Sequence, residues 1–156
     1  MATFTSKSIT VTIDAPSGAF YRADLEFHGV DHSRASYEAR IFYNNPDVGP
    51  ATPTDPGHGY AGSFYVFGHG GCAGDDGHCE PPQGPRRPFD LRPEHPLTKI
   101  TERVIVTDAL RRAIAEPGPL KVSVVPFIDP LDAADLPDAL VTDLLQFDRV
   151  NVIAYQ

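Results

Sequence analysis

Both cysteines of the chain and two of its six histidines fall in one stretch, "GYAGSFYVFGHGGCAGDDGHCEPP", residues 59–82. His69, Cys72, His78 and Cys79 are the ligand types that hold zinc or cuprous copper. Against a single site stands the adjacency of His78 and Cys79, because paired ligands are normally separated by roughly two to four residues. Cys72 and Cys79 also suit a small disulfide loop eased by Gly71, Gly74 and Gly77, provided the compartment is oxidising. A stiff glycine turn with reduced cysteines is the third reading, and the three stay open. Asp75, Asp76 and Glu80 add oxygen ligands, but "AGDDGHCE" lacks the spacing of a helix-loop-helix calcium site. Cys72 with His69 or His78 as its base is a conceivable nucleophile, yet nothing else in the chain completes a triad.

The other histidines are His28, His32, His58 and His95. Six imidazoles invite a dicopper reading, in which ligands converge from helices inside a bundle. Only His28 and His32 stand four apart, and His28 ends a strand pattern, so helical convergence is not expected. These four read as surface or loop histidines. No glycine loop leads into a phosphate-binding helix, and no Gly-x-Ser-x-Gly elbow occurs. Acid, base and nucleophile do not assemble into a set, so catalysis by the chain itself is not expected.

The chain has 156 residues, 41% of them hydrophobic and 22% charged. That suits a single domain over 1–156, long enough to bury roughly 68–70% of its unfolded surface. Net charge is −8, from 21 acidic and 13 basic residues. Sequence-independent nucleic-acid binding needs the opposite sign, and "GPRRP" at 84–88 is the one compact basic candidate. No apolar run reaches the roughly 20 residues that cross a bilayer, so neither nucleic acid nor membrane is an expected partner. "MATFTSKSITVTID" lacks a basic region followed by an apolar one. A cytoplasmic location is the default expectation, with export alongside a partner as the alternative.

The elements that must position these residues are mostly strands. Apolar side chains alternate with period two through Ile9, Val11 and Ile13, through Ala23, Leu25 and Phe27, and through Tyr37, Ala39, Ile41 and Tyr43. Residues 60–68 are apolar on both faces, Phe64 and Val66 one way and Tyr65 and Phe67 the other. Such a strand is expected to be central and covered on both sides. Further strands are expected over 100–106, 120–128 and 147–155. "TDALRRAIAEPG" (107–118) changes period: Leu110 and Ile114 are four apart, Thr107 or Asp108 can cap, and Pro117-Gly118 can end a helix. Residues 131–145 suit one helical turn or two. The expected fold is therefore all-β: an antiparallel β-sandwich of about seven strands, Greek-key-like, with one short helix near 108–115. The loops 44–59 and 69–97 are long, as functional or partner-bound loops are.

Four segments in order, "YEARIFYNNP" (37–46), "GYAGSFYVFGHG" (59–70), "ERVIVTDALRRA" (102–113) and "LKVSVVPFI" (120–128), resemble the C-terminal β-sandwich domain of type-3 copper proteins. That family comprises tyrosinases, polyphenol oxidases and molluscan haemocyanins. The resemblance runs through Phe42, Ala61, Gly62, Phe64, Gly68, Thr107, Leu110, Val125 and Pro126, over roughly residues 36–128. The family's helical domain, which holds both coppers, has no counterpart in these segments. The resemblance thus implies an accessory domain that docks on, shields or helps mature a tyrosinase-like dicopper domain or subunit. In the family this sandwich covers the copper entrance and often projects a bulky side chain into it. Phe64, Tyr65 and Phe67 are the shielding candidates on the matching strand, with a plain core role as the competing reading. A free-standing copper- or zinc-handling protein, using His69, Cys72, His78 and Cys79, is the alternative function.

Overall fold

Alternating side chains build seven strands in the computed structural model, which describes residues 7–70, 85, 88–89 and 97–156. They are β1 (Ile9–Ile13), β2 (Arg22–Val30), β3 (Tyr37–Tyr43), β4 (Tyr60–Val66), β5 (Ile100–Ile105), β6 (Leu120–Phe127) and β7 (Arg149–Tyr155). Each overlaps one of the segments in which alternation predicts a strand. They form two antiparallel sheets, one of four strands in the order β1-β6-β3-β4 and one of three in the order β5-β2-β7. Only β3 and β4 are neighbours both in sequence and in a sheet. The other connections pass from one sheet to the other, as Greek-key sandwiches require.

Because side-chain direction alternates, one residue set from each strand meets between the sheets. Leu25, Phe27, Ile41, Val122 and Val124 are wholly buried there, with Tyr43 and Phe64 nearly so. Phe27 is the hinge of this packing. Its ring lies 4.9 Å from Phe64 and 5.3 Å, edge-on, from Phe147. Burying an aromatic of this size stabilises the fold by roughly 1.5–3 kcal/mol.

Two local expectations are corrected. β4 is an edge strand, not a central one: β3 pairs with one side of it, and no described strand pairs with the other. Its second apolar face is open, with Tyr65 72% and Phe67 77% exposed. Two-sided hydrophobicity in the sequence does not by itself place a strand in the interior of a sheet. The second correction concerns α1 (Thr107–Ile114), which begins without a side-chain cap. The Thr107 hydroxyl instead accepts the Ala23 N–H at 3.0 Å, tying the helix start to β2. Residues 131–145 resolve into two single-turn helices, α2 (Pro130–Ala133) and α3 (Asp138–Val141). Among the described residues no helix is long and apolar enough to cross a membrane.

Candidate functional site

The outer face of the four-stranded sheet is built from the residues that alternate with the core set. On β3 these are Glu38, Arg40 and Phe42; on β6, Ser123, Val125 and Phe127. One end of this face is closed by the chain itself. The 44–59 connection lays Val48 over Phe42 and Val125, both wholly buried, and Tyr60 packs against them. That loop is held by a short 3-10 turn, Pro56–His58, capped by Asp55 and ended by Gly59 at φ 82°. Asn44 ties the loop down further: its Oδ1 accepts the Lys121 N–H at 3.1 Å and its Nδ2 donates to the Ala113 carbonyl at 3.0 Å.

The other end is open. There Tyr65 and Phe67 of the edge strand, Glu38 of β3 and Phe127 of β6 line a groove of about 420 Å³, with Asp129 and Asp132 on its α2 side. Leu131, also on α2, is 83% exposed. Arg40 stands over the Phe127 ring, 3.5 Å from guanidinium carbon to centroid, and its Nε donates to Glu38 Oε2 at 2.9 Å. Of the three aromatics matched to a shielding role, Phe64 is spent in the core against Phe27. Tyr65 and Phe67 project outward. Phe127, Asp129 and Asp132 were missed by sequence reasoning. For Phe127 a signal existed, since it continues the outward register of Ser123 and Val125.

Two glycines of the matched β4 segment have steric reasons. Gly62 sits at φ 135°, where an added Cβ would lie 3.0 Å from Val104. At Gly68 an added Cβ would come within 2.0 Å of the Arg34 carbonyl, because the chain leaving β4 crosses the backbone of 34–35. That crossing carries His69 to His32. The His69 N–H donates to the His32 carbonyl at 2.8 Å, and the two rings stand 4.8 Å apart and nearly perpendicular. His32 Nε2 is 2.6 Å from the Thr98 carbonyl. A carbonyl only accepts, so this nitrogen carries the proton, and in the neutral ring Nδ1 keeps the lone pair. His69 Nδ1 is buried and has no hydrogen-bond partner among the described residues. Glu102, near His32, has its carboxyl pushed above the usual range by burial, against the pull of His32 in the other direction.

Cys72, His78 and Cys79 lie outside the described residues, as do the Cys72–Cys79 disulfide reading, the acidic group Asp75, Asp76 and Glu80, and His95. Among the described residues no group of three or more His, Cys, Asp or Glu side chains is placed to hold a metal. His28 lies 2.7 Å from Glu26 on the three-stranded sheet, and His58 lies 2.8 Å from Asp55 in the covering loop. The described histidines therefore do not fit a dicopper centre. A second depression, about 190 Å³ between α1 and the 43–60 segment, has His58, Arg112 and Glu116 on its rim. It is smaller than the roughly 300 Å³ at which small-molecule sites begin.

No protein-family model matches the chain, and no curated protein matches it in sequence. Solved structures do share its fold. Recombinantly expressed latent aurone synthase (polyphenol oxidase), co-crystallised with hexatungstotellurate(VI), superposes with a TM-score of 0.53 at 13% identity, over 96% of this chain. Latent aurone synthase from its natural source gives 0.52 at 16% identity, again over 96% of this chain. A further recombinant structure of the latent enzyme gives 0.50 at 15% identity, over 95% of this chain. The chain spans 24% of the length of each aurone synthase chain. At such identities the likeness is one of fold.

Proposed function

We propose that the chain is a companion β-sandwich of the C-terminal kind found in type-3 copper oxidases, non-catalytic by itself, which docks on a tyrosinase-like dicopper domain or subunit and covers its entrance. The observation that carries this reading is the fold match: 96% of the chain superposes on a small part of a latent polyphenol oxidase. The order of the four matched segments agrees with it. So does the open aromatic end of the four-stranded sheet, which suits an interface core. In this reading Tyr65 and Phe67 are the side chains that meet the partner, since Phe64 is committed to the core.

The test mixes the chain with a dicopper oxidase encoded beside it. A complex on size exclusion, with diphenol oxidation slowed by wild type and less slowed by Phe67→Ala, supports the reading. Co-elution absent at tens of micromolar, with oxidation unchanged, removes it.

A second reading, a metal-handling protein, is favoured by one observation: His69 Nδ1, beside His32, is buried without a partner among the described residues. His69 with Cys72, His78 and Cys79 would then hold copper or zinc, with His32 as a further imidazole. Elemental analysis tests it. A structural site should be near-stoichiometric. Metal content under about a tenth of an equivalent, unaltered by Cys72→Ser or His69→Gln, removes it.

A further inference from the structure

The groove beside Tyr65 and Phe67 crosses the ends of β4, β3 and β6 rather than following one strand. Neighbouring strands are about 4.8 Å apart, so three of them span on the order of 10–15 Å. That is the reach of about four residues of polyproline II, which rises about 3.1 Å per residue.

The charges around the groove state what it prefers. Arg40 over Phe127, held by Glu38, shows a guanidinium already accommodated on an aromatic face next to a carboxylate. On the α2 side, Asp129 and Asp132 form no ion pair with a described residue. Asp129 uses Oδ1 to accept the Leu131 N–H at 2.9 Å, which leaves Oδ2 for a second donor. Exposed aromatic rings at one end, and at the other carboxylates without an ion-pair partner among the described residues, complement an extended chain carrying both proline rings and a guanidinium.

We propose that this groove docks an extended, proline- and arginine-bearing segment of a partner protein, with prolines on Tyr65 and Phe67 and an arginine at Asp129 and Asp132. The inference rests on the docking reading only in taking this face as an interface. It does not require the partner to be a copper oxidase. An extended occupant gives affinity because polyproline II is ordered before it binds, so little chain entropy is lost.

The experiment uses the full chain and a fluorescein-labelled peptide, Pro-Pro-Arg-Arg-Pro-Pro, followed by anisotropy at low salt. Saturable one-site binding is expected, with the Glu-for-Arg peptide inactive. Phe67→Ser should weaken binding by about tenfold or more. The double variant Asp129→Asn with Asp132→Asn, which keeps the α2 cap, should weaken it by roughly threefold to tenfold and flatten its salt dependence. Unchanged thermal unfolding verifies that both variants fold.

Absence of saturation up to about 1 mM overturns the proposal. So does binding that neither variant alters. Binding that appears only after Arg86→Glu and Arg87→Glu overturns it too, by giving the groove to the chain's own arginine-proline segment. A self-association abolished by Phe67→Ser would assign the groove to a second copy instead, with the same consequence. Peptide binding without an oxidase complex removes the copper-oxidase reading and leaves this one; the converse removes this one alone.

Discussion

The two ends of the outer face of the four-stranded sheet are made of similar material and treated in opposite ways. At one end Phe42 and Val125 lie under Val48 and Tyr60, sealed by a loop that the chain supplies. At the other, Tyr65, Phe67 and Phe127 border a groove that no described loop closes. Apolar area costs about 25 cal/mol for each Å² left in water. Exposing two adjacent aromatics on an edge strand is therefore a standing cost, and an edge strand also invites unwanted pairing. Among the described residues, a covering loop is spent on one end of the face and none on the other. The outer face of the three-stranded sheet makes the contrast sharper. There Arg22 pairs with Asp24 at 2.8 Å, and Arg103 and His28 both reach Glu26. That face meets water in the ordinary way, through ion pairs.

The largest expected effect tests the sealed end. Phe42→Ala empties a wholly buried site and should destabilise the protein by about 3–5 kcal/mol in urea unfolding. If it costs less than about 1 kcal/mol, the sealed end is not a second core and the contrast fails. Next comes the loop that makes the seal. Gly59 has φ 82°, and an added Cβ would come within 2.3 Å of the Tyr43 carbonyl. Gly59→Ala should cost roughly 1–3 kcal/mol and raise hydrogen exchange at Val48, Phe42 and Val125 without altering peptide binding at the groove.

A smaller effect concerns the charged face. The Arg22 guanidinium, bonded to Asp24 through two nitrogens, holds the Asp24 carboxyl below its ordinary value of 3.8, with Tyr155 assisting and burial opposing. A carboxyl with a lower pKa folded than unfolded stabilises the fold above the unfolded value, and that contribution disappears as pH falls through the folded one. Stability should thus decline below about pH 4. Asp24→Asn should show a shallower decline over that range, measured as the urea midpoint against pH. An identical slope in the two proteins would count against the pair. The smallest effect is the most telling for function. Tyr65→Ser and Phe67→Ser should each leave stability within about 0.5 kcal/mol of wild type, because these rings bury little in the free chain. A loss several times larger would mean that the open end is already covered, and the contrast would disappear.

Local chemistry determined much of this molecule. Period-two alternation located all seven strands to within a few residues and told inward from outward positions on β1, β2 and β3, because side-chain direction along a strand is a property of the backbone alone. The change of period at 107–114 marked α1, and 131–145 suited one helical turn or two, where α2 and α3 form. Strand neighbours were not legible. Pairing in this sandwich depends on connections that pass between sheets, so β4 could look central in sequence and stand at an edge in space. For the same reason Tyr65, Phe67 and Phe127 read as hydrophobic residues in separate strands, and only folding gathered them with Asp129 and Asp132 around one groove. His69 was grouped with its chain neighbours, while the tight crossing at Gly68 delivered it to His32. Sequence periodicity reports which way a side chain faces; what it faces is a matter of contacts between residues far apart in the chain, and those exist only in the folded state.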